Sequence, residues 1–150
     1  MAGWHVAQVN IGRMLAPRGD RRVGEFYAQL DVINALADAA PGFVWRLQGD
    51  GNDATDLNPT PDPLLLINIS VWTDQQSLFE FVYRTGHTRV MASHRQWFER
   101  SEAAYQALWW VAAGHLPDID EALSKLWMLE RYGPSPQAFT FKQPFPPPMS

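Results

Sequence analysis

Asn10, Asn34, Asn68, His87, Trp72 and Trp97 are the residues of this 150-residue sequence whose types and settings could do chemistry. A histidine titrates near pH 6.5, so His87 suits proton transfer at neutral pH. An amide does not ionise there. It offers a carbonyl acceptor and two N–H donors, which can orient a substrate or steady developing negative charge. Trp72 and Trp97 can enclose a flat ligand or fill a core. An unpaired buried amide costs roughly 1–3 kcal/mol, so each Asn must bond to another side chain, backbone, water or a ligand. Two readings stay open. In one, these residues line a small-molecule cleft, with His87 and Asn10 catalytic and Asn34, Asn68, Trp72 and Trp97 holding the ligand. In the other, interior polar groups only fix the register of a dimer.

Other apparent motifs fail in context. Gly49-Asp50-Gly51-Asn52-Asp53-Ala54 matches a dinucleotide fingerprint, but Pro59, Pro61 and Pro63 follow where a helix must start. A calcium loop from Asp50 would put Thr55 in place of the required Gly and Pro61 in place of the bidentate Glu. His87 and His94 are seven residues apart, about 10 Å along a helix, too far to share a metal ion. Cysteine is absent, which removes thiolate sites and disulfides. A net charge of −4 disfavours a nucleic-acid partner. The first ten residues do not read as a signal peptide, and no apolar run is long enough to span a membrane. A cytoplasmic protein with no membrane partner and no bound metal is expected.

The elements that must position these residues follow from periodicity. Trp4, Val6, Gln8 and Asn10 alternate with Ala7, Val9 and Ile11, the pattern of a strand. Val23, Phe26, Tyr27, Leu30, Ile33, Leu36 and Ala37 recur at helical spacing, and Asn34 falls on the same stripe. Pro41-Gly42 ends that helix, and Phe43 to Gln48 is a second strand. After a polar, proline-broken stretch from Gly49 to Pro63, the run from Leu64 to Trp72 is a third. It carries Leu65, Ile67, Ile69 and Val71 on one face and Asn68, Ser70 and Trp72 on the other. Thr73 with Gln76 reads as a capping box for a helix through Leu78, Phe81 and Val82. Gly86 breaks it, and His87 to Arg100 continues as a second helical segment. Tyr105 to Ala112 is a fourth strand. Asp118 with Glu121 opens a helix that ends at Gly133-Pro134, and Ala138 to Phe141 adds a short fifth strand.

The order gives an α+β, ferredoxin-like split βαβ antiparallel sheet with an added C-terminal helix and short strand. Residues 1–143 form one domain, and residues 144–150 are a Pro-rich extended tail. First and third strands are antiparallel neighbours in that arrangement, which brings Asn10 near Asn68. Trp109 and Trp110 are adjacent and point to opposite faces. With helices on one face only, the other face needs cover, and a second copy of the sheet in a homodimer supplies it.

Several runs carry a family resemblance: Trp4 to Arg13, Asn34-Ala35-Leu36-Ala37, Pro41 to Arg46, Asn68-Ile69-Ser70-Val71-Trp72, Phe81 to His87, Arg95 to Glu99 and Leu108-Trp109-Trp110. They resemble an uncharacterised bacterial domain-of-unknown-function family grouped with antibiotic biosynthesis monooxygenase-like proteins, in the dimeric α/β-barrel superfamily. The resemblance implies a homodimer and, loosely, a cofactor-independent oxidation of a small aromatic or hydrophobic molecule. It also implies alternatives: a haem-binding or other non-catalytic binding protein, or a purely structural dimer. Haem-degrading members place an Asn on the first strand, matched by Asn10, and a Trp and His on the second helix. Here Phe81 stands at the Trp position and His87 is out of register, which counts against haem degradation. A haem binder would instead use His87 as an axial ligand.

Overall fold

A computed structural model describes residues 3–15, 20–21, 24–47, 65–84 and 106–148. The described residues hold four strands, β1 (Trp4–Arg13), β2 (Phe43–Arg46), β3 (Leu65–Trp72) and β4 (Gln106–Ala112), and three helices, in the order β-α-β-β-α-β-α. The helices are α1 (Gly24–Asp38), α2 (Gln75–Arg84) and α3 (Ile119–Tyr132). The sheet is antiparallel in the order β2-β3-β1-β4, the order of the split βαβ arrangement. Asn10 lies directly opposite Asn68 on β3 and opposite Gln106 on β4. The expected fifth strand is reduced to two isolated bridges, Ser135 with Ala138 and Leu108 with Phe139, the latter pair exchanging both backbone hydrogen bonds at 2.8 Å. The polar stretch Gly49–Pro63 and the segment His87–Arg100 expected to be helical, with His87, His94 and Trp97, lie outside the described residues.

Strand alternation sorts the core into two layers. One face carries Ala7, Val9, Ile67, Ile69, Val71, Ala107, Trp109 and Val111, packed on Ala122, Leu126 and Leu129 of α3. The opposite face carries Val6, Trp72 and Leu108, packed on Ala37 of α1 and Leu78, Phe81 and Val82 of α2. The amide-bearing residues share this second face. The expectation that one sheet face lies bare for a partner is therefore corrected. Trp109 is 1% exposed, because α3 of the same chain folds back over its face. The apolar stripe of α3 identifies an amphipathic helix in the sequence. It carries no mark of which sheet face the helix will cover.

The helix boundaries have local causes. α3 starts where the Asp118 carboxylate accepts from the Glu121 N–H at 2.8 Å. It stops at Gly133, whose φ of 75° suits glycine and whose N–H returns to the Leu129 carbonyl. In α2 the cap is Asp74, not Thr73. The Asp74 carboxylate accepts from the Ser77 N–H at 2.7 Å, while the Thr73 hydroxyl only donates to Asp74 at 3.0 Å. Gln76, expected to close a capping box, bonds Glu80 one turn along instead. Partial burial pushes the Asp74 carboxyl upward, but bonds from the Ser77 backbone, Thr73 and the Ser77 side chain outweigh it and hold the group below its usual range. In α1 the buried side faces Ile33, Asn34 and Ala37, whereas Leu36, expected on the stripe, is 42% exposed. At 3.6 residues per turn it sits about 200° from Asn34.

Gly42 joins the end of α1 to the start of α2. Its φ is +82°, and its carbonyl accepts from the Thr73 N–H at 2.8 Å. A Cβ there would fall 2.4 Å from Ser77 Cβ. Gly42→Ala is expected to cost about 2–4 kcal/mol, read as a fall in thermal midpoint of roughly 5–15 °C. Asp74→Ala should cost about 1 kcal/mol near neutral pH. The folded-state pKa of Asp74 is lowered, so its contribution is present above the ordinary carboxylate range and fades as pH falls through the lowered value. Denaturant titrations of both chains should therefore converge in acid.

Candidate functional site

The alternation of β1 and β3 places a polar row under α1 and α2. On β1 the row is Gln8 and Asn10; on β3 it is Ser70 and Asn68, each directly opposite its β1 counterpart. The row grades from dry to partly open. Trp72 is 1% exposed, Gln8 5% and Ser70 8%, while Asn10, Asn68 and Gln106 are partly buried. Its hydrogen bonds run in one sequence. Trp72 Nε1 donates to Ser70 Oγ at 2.9 Å, Gln8 Nε2 donates to the same oxygen at 2.8 Å, and Asn10 Nδ2 donates to Gln8 Oε1 at 3.0 Å. Each bond lies in the ordinary range.

Asn34 reaches this face from α1 and is buried. One turn further, Asp38 accepts a two-pronged hydrogen bond from Arg46 of β2, at 2.8 Å from Nε and 3.3 Å from Nη2. Arg46 is paired in register with Ser70, so its buried guanidinium closes the row on the β2 side. A carboxylate in the last turn of a helix opposes the helix dipole, and the fork from Arg46 offsets that.

The residues expected from sequence separate here. Asn10 and Asn68 meet across the β1–β3 pair, and Asn34 lies over the same face. Trp72 is buried, packed edge-on to Phe43 at 5.4 Å and tilted against Phe81 at 5.2 Å, with its N–H donated to Ser70. His87 and Trp97 lie outside the described residues. Gln8, Ser70, Gln106 and Arg46 complete the polar face but do not stand out in the sequence as candidates. The available signal was their shared parity with Asn10 and Asn68.

The tail residue Phe145 sits at the dry end of the row. Its carbonyl accepts from Gln75 Nε2 and from Trp110 Nε1, both at 2.9 Å, and its ring lies 6.0 Å from Phe139. The Pro-rich segment is thus a strap within one chain, joining α2 to β4.

Two solved structures resemble this arrangement. One is SnoaB, a cofactor-independent oxygenase from Streptomyces nogalater, at 20% identity, covering 76% of this chain and 98% of that one, with a TM-score of 0.51. The other is Rv0793 from Mycobacterium tuberculosis, at 18% identity, covering 77% and 98%, with a TM-score of 0.50. At such identities the likeness is one of fold, and it agrees with the monooxygenase-like α+β fold expected from the sequence. No curated protein matches the chain in sequence. Residues 5–150 match a domain of unknown function, DUF3291, and by that match over nearly its whole length the chain belongs to the DUF3291 family.

Proposed function

We propose that the amide face binds a small, electron-rich aromatic or hydrophobic molecule and supports its oxidation by dioxygen without a cofactor. The observation that carries this reading is the facing pair Asn10 and Asn68, partly buried at the open end of an otherwise dry polar row. Amides in such a place are donors and acceptors held in low-dielectric surroundings, where each hydrogen bond counts for more than in water. The fold likeness to SnoaB is consistent with this chemistry.

In this mechanism a base removes a proton from the bound aromatic and the resulting anion gives an electron to dioxygen. The radical and superoxide so formed combine through a C–O bond, and the peroxide takes up the proton and loses water to leave a carbonyl. His87 is assigned as that base from its residue type and its place in the sequence. Asn68 and Asn34 orient the substrate and stabilise its negative charge, and Asn10 fixes the position of the ring.

Oxygen-electrode assays over a panel of anthrones, hydroquinones and naphthols test the proposal. Oxygen uptake should require both protein and substrate. Turnover should fall about 10²-fold or more in His87→Ala and about 10²-fold in Asn68→Ala, each compared at matched thermal stability. Unchanged turnover in a folded His87→Ala chain removes that residue from the role of base. A Soret band on titration with haem, together with an absence of oxygen uptake across the panel, would replace the oxygenase reading with haem binding.

A further inference from the structure

We propose that Gln8 is a positioning residue that turns the carbonyl oxygen of Asn10 toward the bound molecule, so that the site selects an aromatic bearing a free hydroxyl group. The inference deepens the reading of the amide face as a binding site and rests on it.

The buried end of the row is Trp72 with Ser70. An indole N–H can only donate, so the Trp72–Ser70 bond has a fixed direction and Ser70 Oγ is the acceptor. Gln8 spends an N–H on the same oxygen, at 2.8 Å. Its remaining group on the Asn10 side is the carbonyl Oε1, which can only accept. Asn10 must therefore present Nδ2 to Gln8, as it does at 3.0 Å. Nitrogen and oxygen lie on opposite branches of one planar amide, so this bond turns Asn10 Oδ1 away from Gln8. Gln8 and Ser70 are buried, whereas Asn10 is partly exposed, and its cross-strand neighbours are Asn68 and Gln106. With this relay of three bonds made, Oδ1 is the Asn10 amide atom not spent on Gln8, at the partly exposed end of the row.

An acceptor held in place recognises a donor. A phenolic O–H can donate to Asn10 Oδ1; the corresponding methyl ether cannot, and would leave the carbonyl desolvated and unpaired. Asn68, directly opposite on β3, carries N–H groups of the kind that stabilise an oxygen bearing negative charge.

The test uses 2-naphthol and 2-methoxynaphthalene, matched in ring system, titrated into the full chain by calorimetry, with thermal unfolding recorded for every variant. The unsubstituted chain should bind 2-naphthol about 10-fold more tightly than its methyl ether. Gln8→Met, which removes the amide but keeps the volume, should reduce that ratio to about 2-fold with little change in affinity for the ether. Gln8→Glu keeps an acceptor before Asn10 and should retain the preference. Ser70→Ala cuts the relay one link deeper and decides the matter if Gln8→Met unfolds; it too should narrow the ratio.

A ratio unchanged in both Gln8→Met and Ser70→Ala, but lost in Asn10→Ala, overturns the positioning role and leaves the site standing. Preference for the ether overturns the assigned orientation of Asn10. Failure of both probes to bind, or binding indifferent to Asn10→Ala, overturns the site reading itself.

Discussion

Burying an indole obliges the fold to bury an acceptor with it, because the N–H has no second role to play. Trp72, Trp109 and Trp110 on the strands impose this obligation, and each is met by a different part of the chain. Trp72 donates to Ser70, Trp109 to the Glu121 carboxylate and Trp110 to the Phe145 carbonyl. The first draws a hydroxyl into the layer beneath α1 and α2 and so starts the amide row. The second ties the opposite face of the sheet to the first turn of α3, where His115 also bonds Glu121 at 2.6 Å. The third holds the strap. Adjacent residues Trp109 and Trp110 thereby recruit covers for opposite faces from one short strand.

The same constraint separates structure from function along the polar face. At the dry end each polar atom is used by a neighbour, and the residues behave as core. At the other end Asn10 and Asn68 face each other across the β1–β3 pair and are only partly buried. A site of this kind is held by strands rather than loops, which limits how far its amides can drift.

Much of this was legible in the sequence, because alternation and helical spacing report directly on burial. The two-faced character of β3 and the terminus at Gly133-Pro134 are consequences of local pattern, and the nearness of Asn10 to Asn68 follows from the split βαβ order of the elements. The parts that were not legible depend on long-range choices. Hydropathy marks α3 as amphipathic whether it covers its own sheet or packs on a neighbour, so Trp109 suggested a partner that the fold does not need to cover that face. Thr73 and Asp74 are adjacent and both can cap; the carboxylate takes the bond. Trp72 has the same residue type in a core and in a binding platform, and its packing against Phe43 and Phe81 could not be read from residue type. Gln8 and Ser70 were visible as polar residues on the right face, but their order of donation could not be read before the register was known.

The pairing of β1 with β3 has a kinetic meaning as well. Gln8 and Ser70 are 62 residues apart in the chain, so the centre of the sheet forms only after a long loop has closed. Loop closure of that length costs entropy before any long-range contact repays it, which places this fold among topologies that nucleate slowly. The amide row cannot exist in a locally folded half of the molecule. It is a property of the completed topology, and any binding capacity it confers switches on together with the sheet.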